Sequence, residues 1–225
     1  MFCPTLITGD PAVVTRNLEI ISRARKENPS VGFSIPAIHI EGFLISDEPG
    51  YRGAHNPNWI WTSPKRKIFV EWQNAADGLI KIFTLAPEKF EAIEFIQDLV
   101  SKDFVVAIGH SNASEEQIDL AIKAGTTGST HVGNGCPKQM DRSDNIIQRL
   151  LARDELWASF ILDGHHINFS ALKNFINAKP ANCIAVTDAI YMTGMPPGKG
   201  KLNGLDIEKQ KNGKKHNSCF TPFYH

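Results

Sequence analysis

Along this chain, short apolar runs alternate with longer stretches whose apolar residues recur every three or four positions. Thr5 to Thr8 reads as a strand ended by Gly9-Asp10-Pro11, and Val13 to Lys26 reads as a helix with Leu18, Ile21 and Ala24 on one face. A second strand is expected over Phe33 to Glu41, ended by Gly42, and a long loop over Phe43 to Pro64, rich in Gly, Pro, Asn and Trp. Loops of that length are more often functional than idle. Leu79 to Leu85 is the next expected strand, followed by a helix with Phe90, Ile93, Ile96 and Val100 on one side.

The same alternation continues to Asp188. Phe104 to Ile108 reads as a strand running into Gly109-His110-Ser111. Ser114 and Gln117 form a capping-box pair before a helix carrying Ile118, Ala121 and Ile122, and Gly125 is placed to end it. A short strand over Gly128 to Val132 precedes a helix with Ile146, Ile147, Leu150 and Leu151. Trp157 to Leu162 is a strand ending at Asp163-Gly164, Ser170 is placed to cap a helix with Leu172, Phe175 and Ile176, and Cys183 to Val186 is a strand ending at Thr187-Asp188. Seven strands separated mostly by helices imply a parallel sheet, either a (β/α)₈ barrel one strand short or a doubly wound sheet. The pattern divides the chain into a catalytic domain over 1–198 and a poorly ordered or aberrant tail over 199–225, polar and basic from Lys209 onward.

Composition narrows the classes of function. The chain has 225 residues, 42% hydrophobic and 21% charged, with 24 basic and 24 acidic residues and no formal net charge. An electrostatic nucleic-acid binder needs a basic excess, so no nucleic-acid partner is expected. No run approaches the roughly 18 apolar residues of a membrane span, and the N-terminus lacks the pattern of a signal peptide. The four cysteines (Cys3, Cys136, Cys183, Cys219) contain no C-x-x-C pair, so the expectation is reduced thiols in the cytoplasm.

The chemistry lies in the placement of polar residues. Glu41, His110, His131, Asp163, His166 and Asp188 all fall at or just beyond the ends of expected strands, and in a parallel barrel those ends share the face that carries active sites. Glu41, His110 and His131 offer one carboxylate and two imidazoles, a set that suits zinc or iron with coordination left open for water. Asp188 is placed to move a proton between water and a leaving amine. Taken singly, each has an ordinary reading: a strand-end His is usually a hydrogen-bonded structural residue, and Asp163 before Gly164 is usually a turn.

Six segments in order carry a family resemblance: His39-Ile40-Glu41-Gly42, Gly53-Ala54-His55-Asn56-Pro57, Gly109-His110-Ser111-Asn112-Ala113, Thr130-His131-Val132-Gly133-Asn134-Gly135, Asp163-Gly164-His165-His166 and Val186-Thr187-Asp188-Ala189. From about Thr5 to Pro197 the chain resembles the N-acetylglucosamine-6-phosphate deacetylases of the amidohydrolase superfamily. The resemblance implies a (β/α)₈ TIM barrel of the metal-dependent hydrolase type, incomplete here, with the first barrel strand and an accessory β-sandwich missing. It implies a divalent metal, zinc or iron, on Glu41, His110 and His131, and an acid/base at Asp188. It places Ala54 and His55 in a loop that touches the sugar. Asn134 and Gly135 match a pair that holds the substrate, and His166 a histidine near the N-acetyl group. Arg142 matches an arginine that grips the phosphate across a dimer interface.

The implied reaction is hydrolysis of N-acetyl-D-glucosamine 6-phosphate to D-glucosamine 6-phosphate and acetate, by a protein that is a homodimer in the family. Two departures stand out: Phe43 occupies a position where the family usually has Pro, and Gly133 one where many members carry a larger residue. The competing expectations are another amidohydrolase acting on a different N-acyl or cyclic amide, and a catalytically inactive piece of a longer protein.

Overall fold

The structure is a computed structural model that describes residues 1–209. Its elements are β1 (Thr5–Ile7), α1 (Pro11–Glu27), α2 (Pro29–Ser34), β2 (Ile38–Glu41), a 3₁₀ turn (Pro57–Trp59), α3 (Arg66–Ala75), β3 (Ile80–Leu85), α4 (Ala92–Val100), β4 (Val105–Ile108), α5 (Glu115–Lys123), β5 (Gly128–Ser129), α6 (Ile146–Leu151), β6 (Trp157–Ile161), α7 (Phe169–Ala178), β7 (Cys183–Val186), β8 (Gly198–Leu202) and β9 (Leu205–Lys209). The first seven strands form one sheet in chain order, every neighbouring pair parallel. A doubly wound sheet reverses its strand order at a switch point. This one does not, so the chain follows the winding of a (β/α) barrel through seven strands. Among the described residues, β1 and β7 each pair on one side only.

The capping logic explains several boundaries. Asp10 accepts the Ala12 N–H at 2.9 Å ahead of Pro11 at the first turn of α1, and Arg25 and Lys26 sit in its last turn, where cations suit the helix dipole. Asn28 then caps α2, accepting from Ser30 and Val31. That short helix absorbs the beginning of the strand expected over 33–41, which starts only at Ile38. The capping box of Ser114 and Gln117 is present as expected. The cap expected at Ser170 is made by Asn168, which accepts the Ala171 N–H at 2.9 Å and leaves Ser170 inside α7. The strand expected over 128–132 stops at Ser129.

Besides α2 and the 3₁₀ turn, two features have no counterpart in the sequence pattern. Helix α3 buries Phe69 and Trp72, and they join an aromatic core in which Phe43 lies 4.7 Å from Trp72 and 5.0 Å from Trp61 between ring centroids. Phe83, Phe95 and Phe104 extend this cluster under α4. The second is an antiparallel hairpin of β8 and β9 over 198–209, where the sequence pattern suggests a poorly ordered tail from 199 onward. Its two-residue turn is Asn203-Gly204, both at positive φ (48° and 83°), the pairing such turns favour. Expectations for 212–225, Cys219 included, lie outside the described residues. No helix among the described residues is long and apolar enough to cross a membrane.

Candidate metal centre

Glu41 is the last residue of β2, and Gly42 turns the chain at a φ of 101°. A Cβ on Gly42 would lie 2.7 Å from the His55 ring, so a glycine is what allows the following loop to lay His55 beside Glu41. His110 and His131 each follow the end of a strand with left-handed backbones, φ 51° and 31°, and Asp188 follows β7 with φ 45°. Such backbones cost on the order of 1–3 kcal/mol and gather at functional sites.

These residues converge on one atom. Glu41 Oε1 lies 2.9 Å from His110 Nε2, 2.9 Å from His131 Nε2 and 3.7 Å from His55 Nε2. All four side chains are buried. His55 Nε2 and His110 Nε2 face each other at 3.2 Å, and one ligand atom each from Glu41, His55 and His110 lies within 4.8 Å of the others. Three imidazole nitrogens turned toward one carboxylate oxygen require protons or a cation among them, because facing lone pairs repel. The far side of each ring is handled differently. His110 Nδ1 lies 2.9 Å from the Tyr51 carbonyl and His55 Nδ1 2.9 Å from Thr8 Oγ1, whereas buried His131 Nδ1 has no protein partner among the described residues. With an ion bound, the Tyr51 carbonyl would keep the His110 proton on Nδ1 and leave the Nε2 lone pair for the ion, the arrangement that metal-binding histidines use. The donor set therefore fits a divalent ion, and the cluster is one that could hold a metal.

Burial opposes ionisation of Glu41, but the His131 charge, the hydrogen bonds to His110 and His131 and the nearby His55 outweigh it and hold the carboxyl well below its usual range. Burial also works against a charged His131, yet the Glu41 charge and hydrogen bond, with Asp188 beyond, push it up to about 9. His110 is pushed down to about 4 by burial and by the neighbouring His55, against the Glu41 hydrogen bond. In the metal-free chain the cluster thus stores its positive charge on His131.

Below this cluster runs a polar chain across the inside of the sheet. His39 lies 3.2 Å from Thr5 Oγ1 and 2.7 Å from Thr84 Oγ1, which lies 2.7 Å from Thr130 Oγ1. His39 shares the inward side of β2 with Glu41, as residues two apart on a strand must.

The remaining expected site residues surround the cluster at varying remove. Gly53 and Gly135 pack on the His110 ring, where a Cβ would lie 2.9 Å and 2.8 Å away. Ala54 is buried next to His55. The Asn134 N–H donates to the His131 carbonyl at 2.9 Å, and a pocket is lined by His110, Thr130, Asn134 and Gly135. His166 stands apart, its Nδ1 2.8 Å from Asp163 Oδ2, while Asp163 Oδ1 accepts the His165 and His166 N–H groups. Asp163 therefore serves both as a turn residue and as an anchor for the His166 ring. Asp188 is exposed, and its charge reaches His131. Arg142 is exposed on the loop before α6, next to the Asp141 turn and outside the buried cluster. The sequence pattern gives no sign that His55 lies as deep as the other two histidines. Its one signal is the run of Gly42 and Gly53 on either side of a loop that must fold inward.

No family model matches the chain. The N-acetylglucosamine-6-phosphate deacetylase of Danio rerio is 32% identical over 217 residues, covering 93% of this chain and 52% of that protein. The enzyme of the same name from Bacillus subtilis is 32% identical over 186 residues, covering 82% and 46% respectively. The chain thus spans about half the length of the curated relatives it matches. Among solved structures, an aspartate-to-alanine mutant of the Mycobacterium smegmatis deacetylase, in complex with N-acetyl-D-glucosamine-6-phosphate, superposes with a TM-score of 0.80 at 28% identity, covering 92% of this chain and 52% of that one. The Thermotoga maritima deacetylase also gives 0.80 at 28%, covering 96% and 58%. By residue identity and by fold, the chain is similar to the N-acetylglucosamine-6-phosphate deacetylases over about half the length of those proteins.

Proposed function

We propose that this chain carries the metal-binding and proton-transfer face of a deacetylase that converts N-acetyl-D-glucosamine 6-phosphate and water to D-glucosamine 6-phosphate and acetate. The observation that carries this reading is the convergence of His110, His131 and His55 on Glu41 Oε1 at the C-terminal ends of parallel strands. Glu41, His110 and His131 would hold the ion, with His55 at its margin. One carboxylate with imidazoles favours zinc or iron. Such an ion supplies Lewis acidity toward a carbonyl and a water.

The chain's own groups supply the rest. Asp188 takes a proton from the attacking water and passes it to the amide nitrogen as the C–N bond breaks. His166, held through Nδ1 by Asp163, leaves Nε2 free to face the N-acetyl group. Ala54, His55, Asn134 and Gly135 border the sugar. Arg142 is exposed on its loop rather than buried in the cluster; in a homodimer it would bind the phosphate in the neighbouring copy's site, where a planar fork suits phosphate oxygens. Cys3, Cys136 and Cys183 are free thiols, which fits a reducing, cytoplasmic setting.

The test is acetate release from the zinc- or iron-loaded chain, with N-acetyl-D-glucosamine 6-phosphate and its unphosphorylated sugar side by side. Release from the phosphorylated sugar alone supports the reading. Equal turnover of both points to another N-acyl substrate, and tight metal binding without any turnover to a ligand-holding unit without catalysis.

A further inference from the structure

Glu88 follows β3 in Ala86-Pro87-Glu88, outside the metal cluster and with no part in the proton transfer. Its carboxylate is mostly buried, and burial pushes the carboxyl up. Both oxygens are nevertheless committed: Oε2 accepts the Ser111 hydroxyl at 2.6 Å and Oε1 accepts the Asn112 N–H at 2.7 Å. Ser111 Oγ in turn accepts the Ala113 N–H at 3.0 Å. These three residues directly follow His110, where β4 has ended and the sheet no longer supplies partners for backbone N–H groups. A buried N–H left unpaired there is costly, so the loop needs an acceptor brought from elsewhere. The opposite side of the turn is held too, by the Ser46 N–H to the His110 carbonyl at 2.9 Å.

We propose that Glu88 is a positioning residue for His110: it grips the two residues after it and so holds the left-handed backbone from which the imidazole reaches Glu41. This inference rests on reading His110 as a metal ligand. Nothing else among the described residues accepts the Asn112 N–H or the Ser111 hydroxyl, so removing the carboxylate frees the segment to relax toward ordinary backbone angles and swings Nε2 off the Glu41 oxygen. Partners that orient metal ligands from outside typically change metal affinity by about 10–100-fold when lost.

The test is Co²⁺ binding to the whole chain, read by titration and by the visible absorption spectrum of the bound ion, in Glu88→Ala, Glu88→Asp and Glu88→Gln. The glutamine keeps the reach of the side chain, accepts the Asn112 N–H through its oxygen and donates to Ser111 Oγ, so it is expected to bind as the unaltered chain does with the same spectrum. The alanine lacks both bonds and the aspartate falls one methylene short. Both are expected to bind about 10–100-fold more weakly, with an altered spectrum. If the alanine variant does not fold, the contrast between aspartate and glutamine decides the matter. Tight binding and an unchanged spectrum in the alanine or aspartate variant overturn the role of Glu88 and leave the metal reading standing. A glutamine as weak as the alanine also overturns it, since charge rather than grip would then be at work. If the unaltered chain binds no Co²⁺, the metal reading falls and this inference falls with it.

Discussion

Glu41 Oε1 and His131 Nε2, 2.9 Å apart and both buried, form an ion pair between the end of β2 and the residues after β5, with β3 and β4 between them in the sheet. In the metal-free chain this pair sets a pH optimum. His131, raised from 6.5 to about 9, contributes stability that is fully present below 6.5 and lost as pH rises through about 9. Glu41, held below its usual 4.5, contributes stability that is lost as pH falls through its folded value. His110, lowered from 6.5 to about 4, adds a loss between those two values because the unfolded chain takes up its proton first. The metal-free chain should therefore be most stable near pH ~6.5 and weaken on both sides. Urea midpoints between pH 4 and 10 would check it, and a midpoint that climbs steadily to pH 9 would contradict the His131 assignment.

Metal binding should carry the opposite pH trend. An ion needs His131 without its proton, so loading at pH 7 should release one proton and affinity should rise toward pH 9. Calorimetry in two buffers of different ionisation enthalpy measures that proton directly. No buffer dependence would place His131 outside the ligand set.

Asp188→Asn should lower kcat by about 10²–10⁴-fold while leaving metal content unchanged. The side chain is exposed and outside the buried cluster, so folding should not suffer. Turnover within a few fold of the unaltered chain would remove Asp188 from the proton path.

Gly135→Ala puts a Cβ 2.8 Å from the His110 ring at a φ of 57°. The backbone alone costs about 1–2 kcal/mol, and the ring must move as well. Both Tm and metal affinity should fall together. Trp72→Ala, in the aromatic core away from the histidines, should cost about 3–5 kcal/mol in stability and leave the metal affinity of the folded chain as it was. The contrast separates packing on the site from packing in general.

Asn203, at the tip of the β8–β9 hairpin, donates through Nδ2 to the Thr8 carbonyl at 2.7 Å, and its own carbonyl accepts from Asn56 Nδ2 at 3.3 Å. Thr8 bonds His55 Nδ1 through its hydroxyl, and Asn56 follows His55 in the chain. Asn203→Ala should speed amide hydrogen exchange in 198–209 and in the loop around His55, and cost about 1 kcal/mol. Exchange confined to the hairpin would show that the tip does not support the His55 loop.

How much of this was legible in the sequence depended on range. Glu41, His110 and His131 could be found because each sits where an apolar run stops, and parallel winding sends all such points to one face. The depth of His55 could not be read, because a loop of some twenty residues has no period to say which side turns inward. Helix α3 was hidden because only Phe69 and Trp72 are buried along its ten residues, too few for a visible stripe. The Asn203-Gly204 turn was hidden by its flanks: Lys199, Gly200 and Lys201 read as polar tail although they pair with 206–208. Glu88 gave no signal, since an acidic residue after Ala-Pro reads as solvent-facing until Ser111 and Asn112 are seen to close on it.

The strict chain order of the seven-stranded sheet bears on how the molecule is made. Every strand docks beside the one just before it, so assembly can keep pace with a ribosome that delivers the N-terminal units first. At each stage the nascent chain shows one fresh parallel edge, able to capture the next strand or a stray one from another molecule. The three histidines arrive in turn, His55 after β2, His110 after β4 and His131 last, after β5. Competence to hold an ion would therefore be reached only after β5 has emerged, whereas the aromatic core around Phe43 and Trp72 is complete well before that.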